Sequence, residues 1–298
     1  MAKLGIMGLG ALGAAHLATV LDHDAHADVA VIASGSRAER LRKDGVVVNG
    51  KLYSVRILEP GEGVEVILLA VKNTVLSEAI ADLAPFVTPG VAIVSLLNGV
   101  SSERELRAAF PQAFVPLAYS IRSNAGRDSR GFRYYSVGVD TFGDGPADEL
   151  SRIDAVLTEV GLPHEVSPDI QVGQWQKFVL NVGINQASAL LCAKYYPFQQ
   201  EGTQARNLLV GLAREGLAVA QAHGVGLTDA NFTEILRIID SLDPAGYTSM
   251  SQDAMYHNPM ETASFAGEVS RLGRLYGVPT PLNDAAGLVL GALEETWK

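Results

Sequence analysis

The stretch "LGIMGLGALGAAHL", Leu4 to Leu17, constrains this chain more than any other. A short apolar run ends at Gly8, and Gly8-x-Gly10-x-x-Gly13 then opens a segment with helical spacing. Alone, such glycine spacing is a weak signal, because small-residue turns match it by chance. Directly after a strand and at the start of a helix, each glycine has a separate job. Gly8 allows a tight turn, Gly10 lets backbone approach a pyrophosphate, and Gly13 lets the helix lie close to the strand. The helix N-terminus would add N–H groups and the positive end of its dipole. Gly8, Leu9, Gly10, Ala11, Leu12 and Gly13 are therefore candidate dinucleotide contacts. The plainer reading is a tight strand–helix turn with no ligand.

The rest of the first half repeats the alternation. "DVAVIAS", "VEVILLAV" and "GVAIVSLL" read as strands, with helical patterns in "TVLSEAIADLAPFV" and "SSERELRAAF". The strand runs are nearly continuous in Val, Ile and Leu, as for parallel strands buried on both faces. Around "GFRYYSVGVDTFG" aromatic, polar and β-branched residues alternate, which predicts antiparallel strands. Beyond about residue 170 strand signals stop and helical periodicity takes over, with helix stops predicted at His223-Gly224 and Tyr276-Gly277. The fold class predicted is α/β: a Rossmann-type, doubly wound N-terminal domain over 1–168, then an all-α domain over 169–298.

With 48% hydrophobic and 19% charged residues the chain can pack a core and is not a disordered one. The net charge of −10 argues against nucleic acid or an anionic membrane as partner. The single cysteine, Cys192, excludes an internal disulfide and a multi-cysteine metal site, so no metal is expected. "MAKLGIMGLGALGAAHLATVL" mimics an export signal, but His16 interrupts its apolar run and the glycines are spaced as a motif. No run approaches a membrane span. The expectation is a cytoplasmic protein.

Three regions offer polar chemistry. The strand "DVAVIAS" should end near the adenosine ribose, where an NAD enzyme usually has Asp or Glu. Here the segment reads Ala33, Ser34, Gly35, Ser36, Arg37. Two hydroxyls and a guanidinium could meet a 2′-phosphate, so NADP (NADPH) is the expected cofactor, with Ser34 and Arg37 as contacts. Lys72 follows "VILLAV" and Asn98 follows "AIVSLL"; each is the first strongly polar group after a buried run. Ligands on such sheets bind outside the carboxyl ends of strands, so both are candidate cofactor contacts, unless they only satisfy loop backbone.

In "GQWQKFVLNVGINQASAL" no Asp or Glu accompanies Lys177. At 100° per residue, Gln174, Lys177, Asn181, Asn185 and Ser188 fall within roughly 80° of arc, with Ile184 among them. A solvent-facing stripe is the plainer reading, but such stripes are rich in Glu, Lys and Arg. Amides beside one cation suggest a hydrated cleft or a ligand. A lysine in an apolar cleft has a lowered pKa and can protonate the oxygen formed when hydride reaches a carbonyl carbon.

Taken together, "GLGALG", Lys72, Asn98-Gly99, "WQKFVLNVGIN", "SMSQD" from Ser249, "ETASFAG" from Glu261 and "GVPTPLN" make the chain similar to the ketopantoate reductase (2-dehydropantoate 2-reductase) family over almost its whole length. The resemblance implies NADPH-dependent reduction of 2-dehydropantoate to (R)-pantoate, on the route to pantothenate and coenzyme A. It implies Lys177 as general acid and Glu261 as the group that binds the substrate's hydroxyl end. It implies Ser249 on the carboxylate, and Asn98, Asn181 and Asn185 positioning substrate, lysine and nicotinamide. Lys72 would lie near cofactor and substrate. The oligomeric state is open in the sequence, with a homodimer formed through the helical half as one arrangement.

Four positions depart from the family pattern. Ser34 stands where many members have arginine, Thr248 replaces the first serine of "SSM", and Gly246 replaces an asparagine. "NQASALLCAKYYPFQ" lacks the usual Pro or Ala after Asn185 and brings Tyr195 and Tyr196. The last two changes touch the substrate side, so a paralogue reducing another 2-oxo acid is the alternative. A non-catalytic NADP sensor is a third reading, opposed by the full set of Lys177, Asn98, Ser249 and Glu261.

Overall fold

The near-continuous apolar runs of the first half are parallel strands, and each feeds two cores at once. In the computed structural model, which describes residues 2–297, the chain begins β1 (Ala2–Met7), α1 (Ala11–His23), β2 (Val29–Ile32), α2 (Gly35–Asp44), β3 (Val46–Val48), β4 (Lys51–Tyr53), β5 (Val64–Leu69), α3 (Leu76–Leu83), β6 (Ala92–Ser95), α4 (Ser102–Ala109). It continues β7 (Leu117–Ile121), β8 (Asn124–Asp128), β9 (Gly131–Ser136), β10 (Val139–Gly143), α5 (Ala147–Glu159) and β11 (His164–Val166). Then come α6 (Ile170–Leu191), α7 (Gln204–Ala222), α8 (Asp229–Asp240), α9 (Ser249–Met255), α10 (Ala266–Tyr276) and α11 (Pro281–Glu295).

The central sheet has the order β2-β1-β5-β6, and every pairing in it is parallel. Single bridges from Val31 to Ile57 and from Ala92 to Phe114 extend it at both edges. Leu4, Ile6, Val66, Leu68 and Val94 enter one core with Leu17 of α1, Leu41 of α2 and Leu157 of α5. Their neighbours Met7, Ile67, Leu69 and Ile93 enter the other with Leu76 and Leu83 of α3 and Leu106 of α4. Because both faces are covered, no polar alternation survives in the strands.

The antiparallel pairing expected near residues 131–143 is present. β9 pairs antiparallel with β8, and β10 antiparallel with β7, while β11 joins β10 in parallel. The β3–β4 hairpin was not foreseen, although its signal is in the sequence. Asn49 (φ 51°) and Gly50 (φ 80°) form its turn, and Asn-Gly favours a two-residue hairpin because both central residues need positive φ.

The chain divides into two compact units, Met1–Asn98 with Ser102–Ile170, and Gly99–Ser101 with Gln171–Lys298. The second is helical and has its own core, including Trp175, Phe178, Phe198, Leu209, Phe232 and Phe265. α7 ends at the expected His223-Gly224, with Gly224 at φ 89°. α10 ends on Gly277 in the left-handed region at φ 68°. No helix among the described residues is long and apolar enough to cross a membrane.

Candidate active site

The three glycines at the end of β1 are required for different reasons. Gly8 has φ 98°, and a Cβ there would lie 2.7 Å from the Ala70 carbonyl carbon. A Cβ on Gly13 would lie 2.1 Å from the Gly8 oxygen. Both are needed by the turn itself. Gly10 differs: it caps α1 with φ −84°, and a Cβ there would meet nothing within 4 Å. The protein alone therefore gives no reason for glycine at position 10. Close approach of a ligand does, and the first turn of α1 carries no acidic residue to repel a phosphate. The turn fits the pyrophosphate of a dinucleotide.

At the neighbouring strand ends, Ser34, Arg37 and Lys72 are exposed and Asn98 is half-buried. Lys72 precedes a short 3₁₀ turn, Asn73–Val75. Asn73 Nδ2 donates to the Asn98 backbone oxygen at 2.8 Å, which links the loops after β5 and β6. Asn98 is the last residue of the first unit before Gly99–Ser101 join the second. Gly99 has φ 96°, and a Cβ on it would approach the Ser264 oxygen at 3.5 Å. The sequence reading finds no carboxylate at the end of β2, and that holds for the segment itself. In three dimensions Asp82, on α3, stands 3.4 Å from Ser34 Oγ.

In the helical unit, Lys177, Asn181, Asn185 and Ser188 share one face of α6. Lys177 is half-buried. Gln174, Asn181, Asn185 and Ser188 are 3%, 9%, 7% and 0% exposed, so this is not a solvent stripe. Ser188 shows what such burial demands. Its hydroxyl lies 3.1 Å from the Asn185 oxygen and 2.7 Å from Thr248 Oγ1. Thr248 in turn caps α9, accepting from Ser251 N at 2.9 Å. The threonine that replaces a family serine thus keeps the capping hydroxyl. This chain of bonds docks the start of α9, and with it Ser249, on the polar face of α6. Ser249 is exposed and Asp253 buried.

Glu261 is buried and lies before α10. A 3₁₀ turn, Thr262–Ser264, follows it, and the Glu261 carbonyl accepts from Ser264 N at 3.0 Å. α10 starts only at Ala266, because Phe265, at φ −106° and ψ −84°, interrupts the helical path. Tyr195 and Gly246 pack together: Tyr195 N donates to the Gly246 oxygen at 3.0 Å, and a Cβ on Gly246 would lie 3.0 Å from the ring. The aromatic ring occupies the space that a side chain at 246 would use.

Both halves of the chain match one family. The ketopantoate reductase PanE/ApbA domain matches residues 4–145, and the ketopantoate reductase PanE/ApbA C-terminal domain matches residues 169–294. The chain belongs to the ketopantoate reductase family. It is an oxidoreductase of that family. The 2-dehydropantoate 2-reductase of Mycobacterium tuberculosis is 27% identical over 262 residues, covering 86% of this chain and 85% of that protein. That of Mesorhizobium japonicum is 27% identical and covers 95% of each chain. Two solved structures show the same fold. A D-mandelate dehydrogenase with NADH and anilino(oxo)acetate has a TM-score of 0.85 at 22% identity, covering 99% of this chain and 98% of that one. A dimeric ketopantoate reductase from Staphylococcus aureus has a TM-score of 0.81 at 19% identity, covering 99% of each.

The structural partners that keep these residues in place are not legible in the sequence. Ser188 gives no signal as a link to the α9 cap, and Asp82 sits in an ordinary helical pattern. Gln186, next to Asn185, belongs to a different network on α6. Its Nε2 donates to Asn283 Oδ1 at 2.9 Å, and the Asn283 amide and side chain donate to Glu215.

Proposed function

We propose that the chain reduces ketopantoate to pantoate with a reduced nicotinamide dinucleotide, with Lys177 as proton donor. One observation carries this reading: α6 buries Asn181 and Asn185 on the same face as Lys177, in a helix otherwise built for an apolar core. Buried amides are costly without partners, and a polar substrate gives that face a purpose.

The bound dinucleotide would supply hydride to C2 of the 2-oxo acid. As hydride arrives, the carbonyl oxygen gains negative charge. The Lys177 ammonium donates a proton to it and becomes a neutral amine, which takes a proton back from solvent. The net change is one hydride and one proton added across the carbonyl. Asn181 and Asn185 hold lysine and substrate in line, Ser249 donates to the carboxylate, and Glu261 accepts from the hydroxyl end. Asn98, on the loop after β6, is assigned to substrate and nicotinamide by the family resemblance alone. Gly8 to Gly13 hold the pyrophosphate, and Lys72 stands near the nicotinamide side. Ser34 and Arg37 lie at the ribose end, where the choice between NADPH and NADH turns on what stands opposite them. A homodimer, as in the Staphylococcus aureus reductase, is the assembly we propose.

The Tyr195–Gly246 packing favours a second reading, a reductase of a different 2-oxo acid with the same chemistry. A ring in place of an asparagine removes a polar group and adds apolar surface. The D-mandelate dehydrogenase shares this fold, and it is named for an aromatic 2-hydroxy acid. A steady-state assay of dinucleotide oxidation against a panel of 2-oxo acids separates the two. Turnover of ketopantoate above all others supports the first. Turnover of an aryl 2-oxo acid with none of ketopantoate sinks it.

A further inference from the structure

Ser249 and Glu261, assigned above to opposite ends of the substrate, lie on one short stretch of the helical unit. α9 starts at Ser249 and ends at Met255. Tyr256 to Pro259 are exposed, and Met260 and Glu261 are buried. The turn between them therefore sets how far Glu261 stands from Ser249. It is held at both ends. On the α9 side, His257 takes a left-handed φ of 54°, and Asn258 N donates to the Asp253 oxygen at 2.9 Å. On the Glu261 side, Met260 N donates to Glu294 Oε1 at 2.6 Å, across 34 residues of sequence. The His257 ring also stacks on Trp297, with centroids 5.0 Å apart and planes at 12°.

Glu294 and Trp297 belong to the last turn of α11 and the residues just after it. Helix electrostatics disfavour a carboxylate there, because the C-terminal end is the negative one. That turn nevertheless carries Glu294 and Glu295 and no basic residue. Glu294 is half-buried, and its oxygen meets the N–H of the residue directly before Glu261. A local rule broken at such a place points to function. A carboxylate also holds an N–H more strongly than a neutral acceptor does. Beyond Glu261 the chain is fixed again, since the Glu261 carbonyl accepts from Ser264 N at 3.0 Å and Phe265 N at 3.2 Å.

We propose that Glu294, with Trp297, is a positioning residue that fixes Glu261 at the distance from Ser249 suited to a 2-oxo acid ending in a hydroxyl. This rests on the reading of Glu261 as the acceptor for that hydroxyl. Without the Glu294 oxygen, Met260 N loses its partner and the turn from Tyr256 to Met260 can shift. The Glu261 carboxylate then drifts from the hydroxyl, while the reacting carbonyl is untouched. Contact with the hydroxyl is the same before and during hydride transfer, so its loss raises KM and spares kcat.

Steady-state kinetics with ketopantoate and with trimethylpyruvate, the same skeleton without the hydroxyl, test this. Glu294→Ala should raise KM for ketopantoate about tenfold and leave its kcat within about threefold. KM for trimethylpyruvate should stay within about threefold, since that acid has no hydroxyl to lose. Glu294→Gln keeps a carbonyl acceptor for Met260 N and should bring KM for ketopantoate back to within about threefold of wild type. Trp297→Ala removes the stacked ring instead and should raise the same KM selectively, which decides the matter if Glu294→Ala does not fold. Equal loss on both acids, or no change in either, overturns the positioning role. Glu261→Ala separates this from the reading beneath it. If Glu261→Ala weakens ketopantoate selectively and the Glu294 and Trp297 variants do not, only the positioning role falls. If Glu261→Ala treats both acids alike, the reading of Glu261 falls and the positioning role with it.

Discussion

His16 and Lys177 are both basic residues in apolar helices, and their surroundings differ. His16 is structural. Its Nδ1 lies 2.8 Å from the Leu12 oxygen and its Nε2 2.7 Å from Asp140 Oδ2, with both side chains almost fully buried. A carbonyl and a carboxylate can only accept, so both ring nitrogens donate and the ring is a cation. Burial works against that charge. The Asp140 charge and hydrogen bond, with the Leu12 carbonyl, outweigh it, and the pKa is raised above the ordinary 6.5. A pKa raised by folding adds stability that is complete below the unfolded value and fades as pH rises through the folded one. Urea melts at rising pH above neutrality should show wild-type stability falling, with a flatter profile for His16→Gln. Asp140→Ala should cost about 3 kcal/mol, because it strands a buried cation. Lys177 shares its helix face with the amides Asn181 and Asn185, and the proposed function makes it the proton donor. Lys177→Ala should lower kcat by about 10²–10⁴-fold while dinucleotide affinity, read by fluorescence titration, is retained. Near-normal turnover would end its role as proton donor.

At the scale of elements, the β1–α1 turn separates what the fold needs from what a ligand needs. Gly13→Ala places a methyl against backbone oxygen and should abolish soluble folded protein. Gly10→Ala meets nothing within 4 Å, at a φ any residue adopts. It should fold with an unchanged melting temperature and lose dinucleotide affinity, seen by calorimetry. If its affinity is intact, the open face of Gly10 is not where the pyrophosphate lies. α11 makes a different point. Its N-terminus is capped by a carboxylate from another helix: Glu215 on α7 accepts from Leu282 N and Asn283 N, both at 2.9 Å, and from Asn283 Nδ2 at 2.8 Å. Glu215→Ala leaves these donors without an acceptor and should cost about 1–3 kcal/mol by chemical denaturation. The strand–turn–helix element was legible because its signals are local: an apolar run, three glycines and a helical period. The α11 cap was not, because its acceptor lies 67 residues before Leu282.

At the scale of the whole molecule, the chain has two units with separate cores. Hydrogen exchange can follow that division. Dinucleotide alone should slow exchange most at residues 8–14. Addition of a 2-oxo acid analogue should then extend slowing to the segments of Lys177 and Ser249. Slowing that never reaches α6 with any 2-oxo acid would remove the helical unit from the substrate site. By itself the sequence determined the parallel sheet, the glycine turn, the helical second half, and the single polar face of α6. Each is written in contiguous residues whose spacing matches one repeat of local geometry. Only the tertiary structure decided that this face is buried, that Ser188 and Thr248 tie it to the start of α9, and that Tyr195 fills the space at Gly246. It alone brought Asp82 to Ser34. These contacts join residues 48 or more positions apart, where chain folding sets proximity and no local pattern records it.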